Sequence, residues 1–300
     1  MNNMKLLFGF LYVLALVSSQ NPSKPKKTIV FLIDALSPSF ISPSLKSFQY
    51  FKSQGSWTYK ARTVIQTQCY PAISSILCAA DPIDTGIYDD TATAGKKFPC
   101  IFEVLKSQRP ELQTSLIHNS PWLNFFEKVT NQNIDYERFC PYGIDLPSVI
   151  SCDEKNFAFL IQSLDQDFGF QIIHLRSLEL AAYDTSFGSE VYIEILNKMD
   201  NYLNKFIEKL VEKSLINNTL LMLVSDHGGR KGNYDHNEKN DENLIIPFMI
   251  AGPGVRKNHV LKSNVHGMDT MPTIMKGLGL KSHFLWRGQS VEEAFEDKEK

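Results

Sequence analysis

The 300-residue chain is 43% hydrophobic and 21% charged, with a formal net charge of −2. That balance suits one large folded domain, or one carrying an inserted cap. A charge this close to neutral argues against binding a nucleic-acid duplex, whose partners carry a basic patch, and leaves small phosphorylated substrates open.

In chain order, Lys5 precedes an apolar run over residues 6–17 that ends in Val17-Ser18-Ser19. A charged start, a short apolar stretch and small residues read as a signal peptide over 1–19. The run is too short to cross a bilayer comfortably, so a signal anchor and a buried N-terminal helix are the weaker alternatives. The mature chain is then expected to be secreted or lumenal in the secretory pathway, with no membrane span after cleavage. Residues 20–27, rich in Pro and Lys, read as a linker, and 28–300 as the folded domain.

Residues 28–33 are continuously apolar and end in Asp34, the pattern of a strand buried on both faces. A helix is predicted over 72–80, and strands over 114–118, 171–175, 218–224 and 245–250. Residues 191–215 form a long amphipathic helix, with Ile195, Met199, Leu203, Phe206 and Leu210 at helical spacing. A last helix covers 271–278 and stops at Gly279. Alternating strands and helices predict an α/β fold: a central, mostly parallel sheet with helices on both faces. The pattern is weakest over about 96–168, where a small cap or insertion over the site is expected.

The chain has five cysteines, Cys69, Cys78, Cys100, Cys140 and Cys152. In an oxidising compartment an odd count leaves at least one thiol unpaired, and the pairing is open at this level. Asn217-Asn218-Thr219 is a glycosylation sequon compatible with secretion.

The chemistry concentrates at Ser225-Asp226-His227-Gly228-Gly229, where an apolar strand delivers an adjacent carboxylate and imidazole into a glycine turn. Both groups suit Zn²⁺. His236 follows nine residues later, and Asp34 ends another buried strand. A capping Asp beside a surface His is the bland alternative; two acidic strand ends favour a metal site. Polar residues just past strand C-termini lie where open α/β sheets bind ligands.

Here the chain resembles the alkaline phosphatase superfamily, closest to its small type I phosphodiesterase and nucleotide pyrophosphatase-like members. The resemblance rests on Ser225-Asp226-His227-Gly228, His236, Ile246-Pro247-Phe248, Gly252-Pro253-Gly254, the segment 268–279 and Trp286-Arg287-Gly288. It also rests on Asp34, on residues 63–90 as a nucleophile helix and the turn after it, and on a motif beginning at Glu179 and closing at Gly188, Ser189 and Tyr192. What it implies is hydrolysis of phosphoric esters at one or two divalent ions, Zn²⁺ by default, through a covalent intermediate. One ion would be held by Asp34, Cys69, Asp226 and His227, and the other by Glu179, Tyr183 and His236. A nucleotide or other phosphodiester is the implied substrate.

Four positions depart from the family. Cys69 replaces a hydroxyl nucleophile, Glu179 an aspartate, Tyr183 a histidine and Asp90 an asparagine. A thiolate is both a good Zn²⁺ ligand and a good nucleophile. For Cys69, that role stands level with a buried small residue or disulfide partner. A phenol is a reluctant ligand at neutral pH, so Tyr183 reads better as a plug in a vacated metal pocket. At Asp90 a carboxylate repels a phosphate unless protonated or metal-bound. Sulfatases of the superfamily carry Cys-x-Pro-x-Arg, whereas this chain reads Cys69-Tyr70-Pro71-Ala72-Ile73, which disfavours that chemistry. His266 and His174 read as hydrogen-bonded loop residues rather than substitute ligands. The competing function is a catalytically silent relative that keeps the fold as a binding module.

Overall fold

Strand β1 (Lys27–Ile33) is buried along its length after Lys27, and its side chains alternate between two apolar layers. Ile29, Phe31 and Ile33 face one layer, and Val30 and Leu32 the other. Burial on both sides is why the strand reads as an unbroken apolar run rather than an alternating one. The computed structural model describes residues 24–91, 97–120, 123, 134–141 and 145–297. The expected signal peptide and the first linker residues lie outside them.

Seven further strands join β1: β2 (Gly55–Arg62), β3 (Gln113–His118), β4 (Tyr136–Phe139), β5 (Phe168–Leu175), β6 (Thr219–Val224), β7 (Ile245–Ala251) and β8 (His259–Val260). They form one eight-stranded sheet in the order β4-β3-β5-β1-β6-β7-β2-β8. β7 runs antiparallel to both β6 and β2, and every other pairing is parallel. The expected mostly parallel sheet is thus the observed one.

The helices, in chain order, are α1 (Lys46–Gln54), α2 (Cys69–Cys78), α3 (Pro82–Thr85), α4 (Ile101–Gln108), α5 (Leu146–Gln162), α6 (Ser177–Thr185), α7 (Glu190–Glu212), α8 (Asp241–Leu244) and α9 (Thr270–Gly277). One face of the sheet is covered by α1, α5, α6 and α7, through Phe48, Phe51, Phe157, Leu178 and Phe206. The other is covered by α2, α4 and α9, through Ile73, Ile76, Phe102, Met271 and Ile274. The described parts of the 96–168 segment supply α4, β3, β4 and α5, which belong to the sheet and its covering layers. The remainder, where a cap was expected, is outside the described residues.

Disulfides join Cys78 to Cys100 and Cys140 to Cys152, which resolves the pairing that the sequence left open. The first ties the end of α2 to the residue that opens α4. Cys69 is the free, buried thiol. Among the described residues, no helix is long and apolar enough to cross a membrane.

Candidate functional site

β1 and β6 are parallel neighbours, so the residues that follow them emerge side by side at one edge of the sheet. Asp34 follows β1, and Ser225, Asp226 and His227 follow β6. Ala35 then takes a left-handed conformation (φ 61°), uncommon for a residue with a Cβ. Its N–H donates to Asp226 Oδ1 at 3.2 Å, and its carbonyl accepts from the Tyr192 hydroxyl at 2.7 Å. Tyr192 lies on α7, whose N-cap is Ser189, so the motif at residues 188–192 holds the Asp34 turn in place. The two glycines after His227 permit close packing. A Cβ on Gly228 would come within 2.2 Å of the Glu242 carbonyl, and one on Gly229 within 2.0 Å of the Phe187 ring.

α2 begins at Cys69, three residues earlier than the sequence pattern suggests, which puts the thiol at the helix N-terminus facing the two strand ends. Cys69 Sγ lies 3.7 Å from Asp34 Oδ1, 3.7 Å from His227 Nε2 and 3.0 Å from Glu179 Oε1. His227 Nε2 is 3.3 Å from Asp34 Oδ1, and its Nδ1 donates to the Gly228 carbonyl at 2.8 Å. The donor atoms of Asp34, Cys69, Asp226 and His227 all lie within 4.8 Å of one another, and all four residues are buried.

A divalent cation fits this half of the site. Asp226 Oδ2 is buried and has no hydrogen-bond partner, a costly state for a carboxylate oxygen. Burial, then the Asp34 charge, pushes the Asp226 carboxyl well above the usual range. Burial would lower His227, but Asp226 and Asp34 outweigh it and raise the imidazole to about 10. Asp34 is held low by His174 and His227 although burial opposes this. Burial and the surrounding carboxylates push the Cys69 thiol far up. Thiolate, imidazole and carboxylate together suit Zn²⁺.

Glu179, Tyr183 and His236 are arranged differently. Glu179 Oε2 accepts from Arg176 Nε at 2.5 Å, an i,i+3 ion pair at the start of α6. Tyr183, one turn beyond Glu179, places its hydroxyl 2.8 Å from His236 Nε2. His236 Nδ1 donates to the Thr67 carbonyl at 2.8 Å, so Nε2 carries the lone pair and the phenol donates to it. Burial, then His227, lowers His236 to about 3, and its ring stacks on that of His227 with centroids 3.5 Å apart. Asp90 Oδ1 accepts the Tyr70 N–H at 3.0 Å, a donor that a substrate oxygen at the α2 N-terminus would also seek. Burial, opposed by that bond, leaves Asp90 raised to about 6.

Two further residues enter the site. His174, expected at the end of the 171–175 strand as a hydrogen-bonded residue and not a ligand, does lie on β5, paired with Leu32 of β1; it is fully buried and 3.4 Å from Asp34 Oδ2, and neither ring nitrogen has a hydrogen-bond partner. Arg176 was not singled out in the sequence, although an arginine three residues before a site glutamate at a helix start is a readable pairing signal. His266 is exposed, and its N–H donates to Asp269 Oδ2 at 2.8 Å in a capping turn.

The class this defines is an α/β protein with a mostly parallel sheet, in which Asp34, Asp226 and His227 at two strand ends meet Cys69 at the start of α2 in a buried cluster that could hold a metal ion. The family model described as Sulfatase matches residues 184–280, which hold Asp226, His227 and His236 but not Cys69. N-acetylglucosamine-6-sulfatase of Capra hircus is 28% identical over 93 residues, 29% of this chain and 17% of that protein. Lipoteichoic acid synthase 1 of Bacillus subtilis is 24% identical over 201 residues, 56% of this chain and 31% of that protein. This chain therefore spans less than a third of the length of either relative. Among solved structures, murine ectonucleotide pyrophosphatase/phosphodiesterase 5, an inactive variant in complex with AMP, superposes with a TM-score of 0.71 at 14% identity. That match covers 90% of this chain and all of that one, and it is a likeness of fold. In fold, the chain is similar to alkaline phosphatase-like α/β proteins.

Proposed function

We propose that the protein is a secreted or lumenal metal-dependent hydrolase of phosphoric esters, of phosphodiesterase type. The observation that carries this reading is the convergence of Asp34, Cys69, Asp226 and His227 with the orphaned Asp226 Oδ2. These residues would hold one divalent ion, which when bound lowers the thiol pKa and polarises a phosphoryl oxygen. Cys69 Sγ attacks phosphorus, forming an S–P bond as the P–O bond to the leaving alcohol breaks and that oxygen departs with the electron pair. Water then cleaves the S–P bond, releasing the phosphoryl product and restoring the thiolate. The α2 N-terminus favours the anionic form of Cys69 and of the transferred group. The two disulfides and the exposed Asn217 sequon support an oxidising compartment and glycosylation there. Absence of the arginine four residues after Cys69 speaks for phosphate rather than sulfate esters.

The test is hydrolysis of a chromogenic phosphodiester by the purified mature domain, with and without chelation, beside Asp226→Ala. Turnover that chelation and the variant both abolish supports the reading, and turnover indifferent to both overturns it. A second reading, a silent binding module, is favoured by Tyr183 and Asp90, which occupy a lone pair and an N–H that substrate chemistry would use. It predicts no turnover with the nucleotide still bound.

A further inference from the structure

We propose that this site holds one metal ion per chain, and that the Arg176 guanidinium with the Tyr183 hydroxyl takes the place a second ion would fill. The inference rests on the metal-centre reading above. A ligand set is recognised by donor atoms with nothing else to bind, and the two halves of the site differ in that respect. Asp226 Oδ2 is buried with no hydrogen-bond partner, its nearest charged neighbour being His227 Nε2 at 3.7 Å, whereas the donors around Glu179 are already engaged in hydrogen bonds.

Glu179 is buried and its charge is matched by Arg176 at 2.5 Å, a fixed monovalent cation where a divalent one would otherwise be needed. Its other oxygen faces Cys69 Sγ at 3.0 Å and so points into the first half. The lone pair of His236 is bonded to Tyr183, and the imidazole is locked by Thr67 on its opposite nitrogen, so ring rotation cannot free it. Thr67 Oγ1 also donates to the His236 carbonyl, which fixes the backbone there.

The backbone that carries the guanidinium is held by a buried frame. Asp153, on α5, accepts from Arg176 N at 3.2 Å, Ser177 N at 2.9 Å and Ser177 Oγ at 2.7 Å, and from Asn119 Nδ2 at 2.7 Å. Arg176 therefore starts α6 from an anchored backbone, and its side chain reaches Glu179 one turn on. An ion entering beside Glu179 would have to break this pair and also displace the Tyr183 hydroxyl, leaving buried groups unpartnered. Guanidinium stays charged at all accessible pH, so its place is not vacated by titration.

The experiment is a cobalt titration of metal-free protein, followed by metal analysis of the dialysed complex. The thiolate-to-cobalt charge-transfer band should saturate at one equivalent, with one ion retained per chain. The double variant Arg176→Ala/Tyr183→His, which removes the internal cation and restores an imidazole, should retain two. Two ions in the wild-type protein would overturn the inference and leave the metal-dependent reading intact. None would sink that reading and the inference with it. A folded double variant that still holds one ion would overturn the assignment to Arg176 and Tyr183. Should the variant fail to fold, the wild-type count decides.

Discussion

The two halves of the site occupy adjoining space and differ in how their polar atoms are satisfied. Around Asp34, Cys69, Asp226 and His227 acidic groups crowd a buried space, and one carboxylate oxygen, Asp226 Oδ2, has no hydrogen-bond partner. Around Glu179, Tyr183 and His236 each donor or acceptor has found a protein partner. An unsatisfied buried group is a cost to the fold that a water, an ion or a ligand can relieve. A satisfied one is ordinary structure, whatever its position in a family motif. Chemistry should therefore be sought in the first half and rigidity in the second.

The largest effect should come from Cys69. Cys69→Ala is expected to lower turnover of a phosphodiester by at least about a thousandfold, while Cys69→Ser keeps measurable activity; equal rates in wild type and Cys69→Ala would place the nucleophile elsewhere. Next comes Asp90, whose carboxylate occupies the Tyr70 N–H. Asp90→Asn removes a like charge from the substrate's path and should raise kcat/KM for an anionic diester by about tenfold, and a fall would show that the carboxylate assists catalysis.

A smaller effect concerns the frame of the closed half. Burial pushes Asp153 up to about 6 although Ser177 and Arg176 donate to it. The folded state then keeps a proton that the unfolded chain releases near pH 4, so stability falls as pH rises from about 4 to 6 and is flat beyond. Melting temperatures across that window should show this slope, and Asp153→Asn should remove it while destabilising the protein by about 1–3 kcal/mol. A slope that survives the variant would assign it to another group. The smallest change expected is at Ala35. Glycine there relieves a left-handed backbone by about 1 kcal/mol but loosens the unfolded chain by a similar amount, so Tm should shift by less than about 4 °C; a larger drop would mean that the alanine methyl matters to the Asp34 turn.

How much of this was legible follows from how local each signal is. β1 and β6 could be read because both faces are buried and the apolar runs are unbroken. β2 was missed because its alternation passes through half-buried Trp57 and Tyr59 and an exposed Lys60, and its partners β7 and β8 lie some two hundred residues away. α2 was predicted over 72–80 but runs from Cys69 to Cys78, and Pro71 fits inside it because in the first turn of a helix a missing N–H costs nothing. Asp226, His227 and Asp34 announced themselves at strand ends. His174 did not: a histidine following Gln171, Ile172 and Ile173 gives no sign that register with Leu32 will set it beside Asp34. The disulfide partners were likewise settled by the three-dimensional approach of α2 to α4 and of β4 to α5.

Pairing four of the five cysteines leaves a single thiol, inside the Asp34/Asp226/His227 cluster and shielded from solvent. That thiol is an internal clock for the molecule. Because the thiol is buried, an alkylating reagent reaches it only when the surrounding structure opens, so the rate of modification in native buffer reports how often the pocket opens. No engineered label is needed to watch the pocket breathe, and any molecule that occupies the pocket will announce itself by slowing the clock.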